Sequence, residues 1–195
     1  MRRVIVSEWM TLDGVVQSPT SPSEDPSHDF AHGGWHARQF GDPLFQQSMV
    51  HTITAAGGFL LGRRTYDALA AYWPNAPKEE AMLAVPLNTR PKYVASRTLT
   101  APAWQNTSVL KGDVAEAVRG LKQQNGGGDL VVFGSTELVK TLIANDLVDE
   151  FRLMIDPVLV GGGKRIFDDD AALRLLQLVD VQPTPTGAIL ATYVA

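Results

Sequence analysis

The chain has 195 residues, a net charge of −4 and no cysteine. This length suits a single domain over residues 1–195 with its own buried core, and the missing cysteine excludes disulfides and thiolate metal sites. The basic residues are scattered, so the sequence offers no basic surface for a nucleic acid. No apolar run approaches the roughly 20 residues of a membrane span, and the first residues lack the apolar stretch of a signal peptide. We therefore expect a soluble, cytoplasmic protein with no membrane partner.

The first third of the chain predicts a strand, a long loop, a helix and a second strand. Residues 4–10 form an apolar, β-branched run that is typical of a buried strand. Residues 17–34 are rich in Ser, Pro, Asp, Gly and His, and a polar connection of this length is typical of a functional or mobile loop. Residues 40–55 carry apolar side chains at helical spacing. Residues 57–61 then form a short apolar strand that runs into a helix ending at about residue 72.

The remaining two thirds of the chain continue this alternation of strands and helices. Further strands are predicted at residues 92–96, 129–133, 148–155, 173–181 and 188–194, and helices at residues 114–124 and 137–145. This order predicts an α/β fold with a central, mostly parallel sheet, an antiparallel edge formed by the C-terminal strands, and helices on both faces.

Three junctions between an apolar strand and the following segment carry glycine, hydroxyl or basic residues. They lie at residues 61–65, 95–98 and 133–136. Ligands of open α/β sheets bind at the carboxyl ends of the strands, and the N-terminus of a helix favours a phosphate group. Each junction alone is also typical of a capped helix or a turn, but the three together indicate a phosphate-bearing ligand.

Five segments of the chain resemble the dihydrofolate-reductase-like superfamily, most closely its riboflavin-biosynthesis reductase branch. They are TLDG at 11–14, GGW at 33–35, LLGRRTY at 60–66, VVFGS at 131–135 and DPVLVGGG at 156–163. The resemblance implies an NADPH-dependent reductase of a pyrimidine riboflavin precursor or a pterin-like heterocycle, similar to 5-amino-6-(5-phosphoribosylamino)uracil reductase. Dihydrofolate reduction and a non-catalytic nucleotide-binding or interaction protein on the same fold are the alternatives.

The resemblance also implies which residues hold NADPH along the carboxyl edge of the sheet. Gly62, Arg63 and Thr65 match a phosphate-binding helix start, Ser96 and Arg97 the 2′-phosphate site, Gly134, Ser135 and Thr136 the pyrophosphate site, and Trp9, Met10 and Val16 the border of the nicotinamide. Members of this branch commonly pair through a sheet edge, which we expect at residues 151–163, so the resemblance further implies a homodimer.

The catalytic and substrate-binding residues are less sharply defined by the sequence. Asp42 stands near the place where folate-reducing relatives carry a proton-donating carboxylate, although a carboxylate at a helix start is ordinarily a cap. Asp13 either contacts the substrate or serves its turn. Trp35 either stacks on a planar heterocycle or fills the core. The loop at residues 17–34 is either a lid over the nicotinamide or a surface insertion.

No metal site is expected from the sequence. His28, His32 and His36 recur at i, i+4 and i+8, but Pro26 and a Gly-Gly pair argue against one continuous helix there. The run Asp168–Asp170 is interpreted as a solvated loop, since adjacent carboxylates cannot all converge on one ion.

Overall fold

The structure, a computed structural model, describes residues 1–167 and 172–195. These ranges form one eight-stranded sheet. Its strands are β1 (Val4–Thr11), β2 (Gly58–Gly62), β3 (Lys92–Ala95), β4 (Thr107–Leu110), β5 (Leu130–Phe133), β6 (Glu150–Asp156), β7 (Gln177–Pro183) and β8 (Ile189–Val194). The strand order is β4-β3-β2-β5-β1-β6-β8-β7. The strands from β4 to β6 pair in parallel, whereas β8 is antiparallel to both of its neighbours. The predicted fold class is confirmed.

Five α-helices cover the two faces of this sheet in the described ranges. They are α1 (Pro43–Ala55), α2 (Arg63–Tyr72), α3 (Ala81–Thr89), α4 (Val114–Gln123) and α5 (Thr136–Ala144). The alternation of side chains along β1 explains the two layers. Val4 and Val6 belong to one apolar cluster with side chains of α4 and α5, and Ile5 belongs to another with side chains of α1 and α3. None of the described helices is long and apolar enough to cross a membrane.

Several element boundaries differ from the prediction for identifiable reasons. The helix expected at residues 40–55 begins at Pro43, because the side chain of Asp42 caps it. Helix α3 was not predicted and contains Pro86, a residue that ordinarily disfavours a helix interior. The buried Lys92 stabilises the end of α3 by donating to the carbonyl oxygens of Leu87 and Arg90. Strand β4, which has four residues, was not predicted either.

The C-terminal part of the sheet also requires a correction. The segment 151–163 was expected to form a sheet edge, but β6 lies inside the sheet between β1 and β8. The antiparallel edge is β7, which begins at Gln177 instead of residue 173. Sequence periodicity identified β6 as a strand but carries no information about its partner strands, whose paired residues are 145 and about 40 residues away along the chain.

Candidate active site

A cleft of about 1680 Å³ runs along the carboxyl ends of the parallel strands. All three of the predicted junctions line it, at residues 62–65, 95–98 and 133–136. Residues 16–20, Glu24 and Asp25 from the long loop also line the cleft, and α1 contributes Met49 and Ile53. The structure therefore brings together segments that are far apart in sequence, at the sheet edge where α/β proteins bind their ligands.

The first and third junctions meet inside the cleft. The hydroxyl oxygens of Thr65 and Ser135 lie 3.0 Å apart. A Cβ on Gly62 would lie 1.9 Å from Ser135 Oγ, and Gly134 adopts a φ of +50°, with its Cβ position 3.0 Å from Thr65 Oγ1. Glycine is therefore required at residue 62 for this close approach.

The two helices that begin at these junctions lack a side-chain cap, as does α3, whereas α1 and α4 are capped. Asp42 caps α1 and Asp113 caps α4 through side-chain hydrogen bonds. Gly62 and Ser135 precede α2 and α5, and neither makes a side-chain cap bond in the described part of the chain. The first residues of α2 and α5 line the cleft and their backbone N–H groups lack a side-chain cap, an arrangement that is suited to phosphate oxygens.

The arginines of the cleft occupy three different environments. Arg63 bonds Asp67 one turn along α2, and Arg64 bonds Asp25 of the long loop. Arg97 is exposed and has no hydrogen bond or ion pair with any described residue, and the backbone N–H of Leu99 donates to Ser96 Oγ to hold this turn. Arg97 is thus the cation of the second junction that is free to meet an anion.

Of the three residues expected to border the nicotinamide, only two line the cleft. Trp9 and Val16 line the cleft, whereas Met10 lies in the core cluster beneath α4 and α5. Trp9 stacks on His36 with ring centroids 4.3 Å apart. His36 is fully buried, its Nδ1 lies 3.1 Å from Asp156, and its Nε2 has no partner among the described residues. Stacking on the buried His36 fixes the orientation of the Trp9 ring.

Glu8, on β1 beside Trp9, is a cleft residue that sequence reasoning missed. It is 7% exposed, and its Oε1 has no hydrogen-bond partner in the described part of the chain. Burial raises the pKa of Glu8 to about 8, and a hydrogen bond from the Gly134 backbone only partly offsets this. Burial therefore favours the protonated, neutral form of the side chain at pH 7. The available signal was a single carboxylate inside the buried run VIVSEWMT.

Asp42, the predicted proton donor, is placed as a helix cap. Its carboxylate accepts hydrogen bonds from the backbone N–H groups of Leu44 and Phe45, and from Thr186 Oγ1 at 2.9 Å. Burial opposes ionisation of Asp42, but these hydrogen bonds outweigh it and lower its pKa. Asp42 is not among the residues that line the cleft. It ties the start of α1 to the turn between β7 and β8.

The two predicted substrate residues also lie outside the cleft lining. Asp13 accepts hydrogen bonds from the backbone N–H groups of Val160 and Gly161, at 3.3 and 2.8 Å, so it braces its turn against a second loop. Trp35 donates from Nε1 to the carbonyl oxygen of Gln17 at 2.8 Å. Trp35 thereby holds the start of the long loop in place.

The long loop is held over the cleft by polar contacts. Asp25 accepts hydrogen bonds from Lys164 and from Arg64, which belong to different parts of the cleft wall. Partial burial of Asp25 opposes its ionisation, yet the hydrogen bonds from Lys164 and Ser27 lower its pKa to about 2. These ion pairs connect the middle of the loop to two other residues of the cleft lining.

Among residues 1–167 and 172–195, no three His, Asp or Glu side chains come together as a group that could hold a metal ion. His28 and His32 are exposed and His36 is buried. The run Asp168–Asp170 lies outside the described residues.

Comparison with known proteins agrees with this architecture. The model of the RibD C-terminal domain family matches residues 2–190. The chain belongs to that family. Among its relatives in Bacillus subtilis strain 168, the uncharacterized protein YyaP is 31% identical, with 98% of this chain and 94% of YyaP covered. The uncharacterized protein YwjB is 26% identical, with 89% of each chain covered.

Solved structures share the fold at lower sequence identity. A Shewanella sp. PV-4 protein named for riboflavin biosynthesis superposes with a TM-score of 0.69 at 19% identity, with 98% of each chain covered. A pyrimidine reductase-like protein of Corynebacterium diphtheriae gives 0.64 at 12%, with 99% of this chain and 91% of that chain covered. Dihydrofolate reductase of Enterococcus faecalis, complexed with NADP(H) and RAB-propyl, gives a TM-score of 0.58 at 14% identity, with 98% of this chain and 95% of that chain covered. The RibD C-terminal domain protein therefore has the dihydrofolate-reductase-like fold and belongs to a reductase-like family.

Proposed function

We propose that this RibD C-terminal domain protein is an NADPH-dependent reductase of a planar nitrogen heterocycle, either a pyrimidine precursor of riboflavin or a pterin-like compound. The observation that carries the proposal is the convergence of two uncapped helix N-termini and the hydroxyls of Thr65 and Ser135 in one cleft. This arrangement suits the pyrophosphate of a dinucleotide. The relationship to a dihydrofolate reductase complexed with NADP(H) supports the same cofactor.

The cleft offers a binding role for each part of NADPH. Ser135, Thr136 and the N-terminus of α5 would bind the pyrophosphate, and Gly62 leaves room for the backbone of α2 to approach it. Arg97 would pair with the 2′-phosphate of the adenosine, because it is exposed on the cleft wall and unpaired among the described residues. Bound NADPH would supply a hydride with its two electrons.

The cleft also offers aromatic and aliphatic side chains to a flat heterocycle. Trp9 lines it together with Met49, Ile53, Leu69 and Trp73. Aromatic and aliphatic side chains pack against the faces of a heterocycle and keep water away from the reacting carbon. The chain's contribution is to orient the ring and exclude solvent.

The residues that α1 contributes to the cleft favour a pyrimidine or pterin-like substrate over dihydrofolate. Folate-reducing relatives are expected to present a carboxylate from the corresponding helix. Here α1 contributes Met49 and Ile53 to the cleft, while the carboxylate of Asp42 caps the helix.

Calorimetric titration with NADPH tests the proposal first. We expect binding by the wild type and weaker binding by Thr65→Val, which removes a cleft hydroxyl and keeps the side-chain shape. Thr54→Val is the matched control, since Thr54 is exposed on α1 and bonds only its own helix. NADPH oxidation is then measured with pterins, pyrimidine riboflavin precursors and folates. A wild-type protein that binds no NADPH overturns the proposal, and one that binds NADPH but oxidises it with none of these compounds favours the non-catalytic alternative.

A further inference from the structure

Five carboxylates line the cleft, and four of them are already engaged or exposed. The five are Glu8, Glu24, Asp25, Asp113 and Glu137. Asp25 is bonded to Lys164 and Asp113 caps α4. Glu24 accepts from the backbone and hydroxyl of Thr20, and Glu137 is exposed in the first turn of α5. None of these four combines burial with an unpartnered oxygen in the described part of the chain.

Glu8 has both properties. One of its oxygens is near the backbone N–H of Gly134, and Oε1 is buried without a partner among the described residues. A buried carboxyl whose second oxygen lacks a donor is stable only in its neutral form, with an O–H that can be donated. The residues on either side of it, Ser7 and Trp9, also line the cleft.

The charges around Glu8 favour this neutral form. Glu24, in the loop above it, is the charged group that acts on Glu8, and it disfavours a second negative charge. The paired strands contribute Leu153 in register from β6 and the neutral Gly134 turn after β5. The basic residues of this wall, Lys164 and Arg64, are both bonded to Asp25.

Hydride reduction of a C=N bond, the reaction that the proposed function implies for a nitrogen heterocycle, also needs a proton for the nitrogen. We propose that Glu8 donates this proton, an inference that rests on the proposed function. Bound NADPH would supply the hydride to the substrate carbon, and the π electrons of C=N would then move to nitrogen. The O–H bond of Glu8 breaks and an N–H bond forms on that nitrogen, which leaves an amine and the Glu8 carboxylate. Water entering after product release returns a proton to Glu8.

The first test uses the free protein and needs no activity. NMR of protein carrying ¹³C at the glutamate side-chain carboxyls is expected to show one signal that stays protonated through neutral pH and titrates at about pH 8. Glu8→Gln should remove this signal. A Glu8 carboxyl already ionised at about pH 6, above the ordinary glutamate pKa, overturns the proposal whether or not NADPH binds.

The second test uses the substrate that supports NADPH oxidation. Glu8→Gln keeps the shape of the side chain but has no acidic proton, so turnover should fall about a hundredfold or more. NADPH affinity should stay close to the wild-type value. The wild-type turnover should decline as the pH rises through the pKa of Glu8, and this decline should be absent in Glu8→Gln. Glu8→Asp, which retains an acid, should restore part of the rate.

Glu116→Gln is the matched control, because Glu116 is an exposed glutamate of α4 paired with Arg119. Wild-type turnover and pH profile in Glu8→Gln would show that another group supplies the proton. A loss of NADPH affinity in step with turnover would make Glu8 a cofactor-binding residue instead. A wild-type protein that binds no NADPH overturns the proposed function and with it the proton transfer. The first test does not depend on NADPH, so it still reports the protonation of Glu8 separately.

Discussion

At the scale of single residues, Arg97 is expected to select between the two nicotinamide cofactors. It is exposed, unpaired among the described residues, and held on a turn by Ser96. Arg97→Ala should weaken NADPH binding roughly tenfold and leave NADH binding nearly unchanged, because only NADPH carries the 2′-phosphate. Titration calorimetry with both cofactors measures the difference. Arg90→Ala, at an exposed arginine after α3, is the control. An equal loss for both cofactors would contradict this assignment.

Glu8 should also impose a pH dependence on stability. Its pKa is about 8 in the folded chain against 4.5 without the fold, so the folded state binds more protons between these values. The free energy of unfolding should therefore fall as the pH rises from about 4.5 to about 8 and level off above that. The full effect is at most roughly 5 kcal/mol. Urea unfolding at several pH values should show this decrease in the free energy of unfolding for the wild type and a flatter dependence for Glu8→Gln. The same pH dependence in both proteins would contradict the prediction.

At the scale of elements, the junction of β2 with α2 depends on Gly62. Gly62→Ala places a Cβ against Ser135, so we expect a loss of about 1–3 kcal/mol in unfolding free energy together with NADPH affinity. Adding Ser135→Gly should relieve the overlap and restore stability, but not cofactor binding. Gly120→Ala is the control, since no atom lies within 4 Å of its Cβ position in α4 and a helical alanine should stabilise the chain. If Gly62→Ala changed neither the unfolding free energy nor the NADPH affinity, the backbone would be able to shift and accommodate the added Cβ.

The long loop is the second element with a testable role. If it is a lid, replacing residues 20–29 with a short Gly-Ser linker should cut turnover and leave NADPH affinity nearly intact. Asp25→Asn removes the ion pairs with Lys164 and Arg64 and so tests their part in holding the loop. It should increase amide exchange across residues 17–34, while Asp29→Asn, at an exposed position of the same loop, should not. Full turnover with the linker would assign the loop no part in catalysis.

The sequence predicted the strand-end junctions of the cleft better than its buried carboxylate. Gly62, Thr65 and Ser135 follow apolar strands directly, so local pattern and the rule for strand ends place them together. Glu8 could not be assigned in the same way, because its chemistry depends on burial by the loop and by the Gly134 turn. For Asp42 the sequence favoured a cap over an acid, but its hydrogen bond with Thr186, 144 residues away, could not be predicted from the local pattern. Long-range contacts of this kind leave no periodic signal.

At the scale of the whole molecule, the exposed edge strand predicts a homodimer. All seven residues of β7 are exposed, and Val179 and Val181 each expose 51% of their surface. An apolar edge strand with unpaired backbone groups is a liability unless another chain covers it, and a second copy related by a two-fold axis would do so. Light scattering at micromolar concentration should give the dimer mass. Val181→Lys should shift the measured mass towards that of the monomer, whereas Thr54→Lys, at an exposed position of α1, should not. A monomeric wild type would contradict the prediction.

The central position of β1 has a consequence for how the protein is made. Strand β1 is synthesised before both of its partner strands, because Val4 pairs with Leu130 and Ile5 with Glu150. A nascent chain therefore carries an apolar strand with two unpaired edges until most of its length has left the ribosome. Closing such long loops slows folding and exposes aggregation-prone surface in the meantime. Folding of this sheet should therefore be completed only after β5 and β6 have been synthesised, with β1 among the last strands to be paired on both edges.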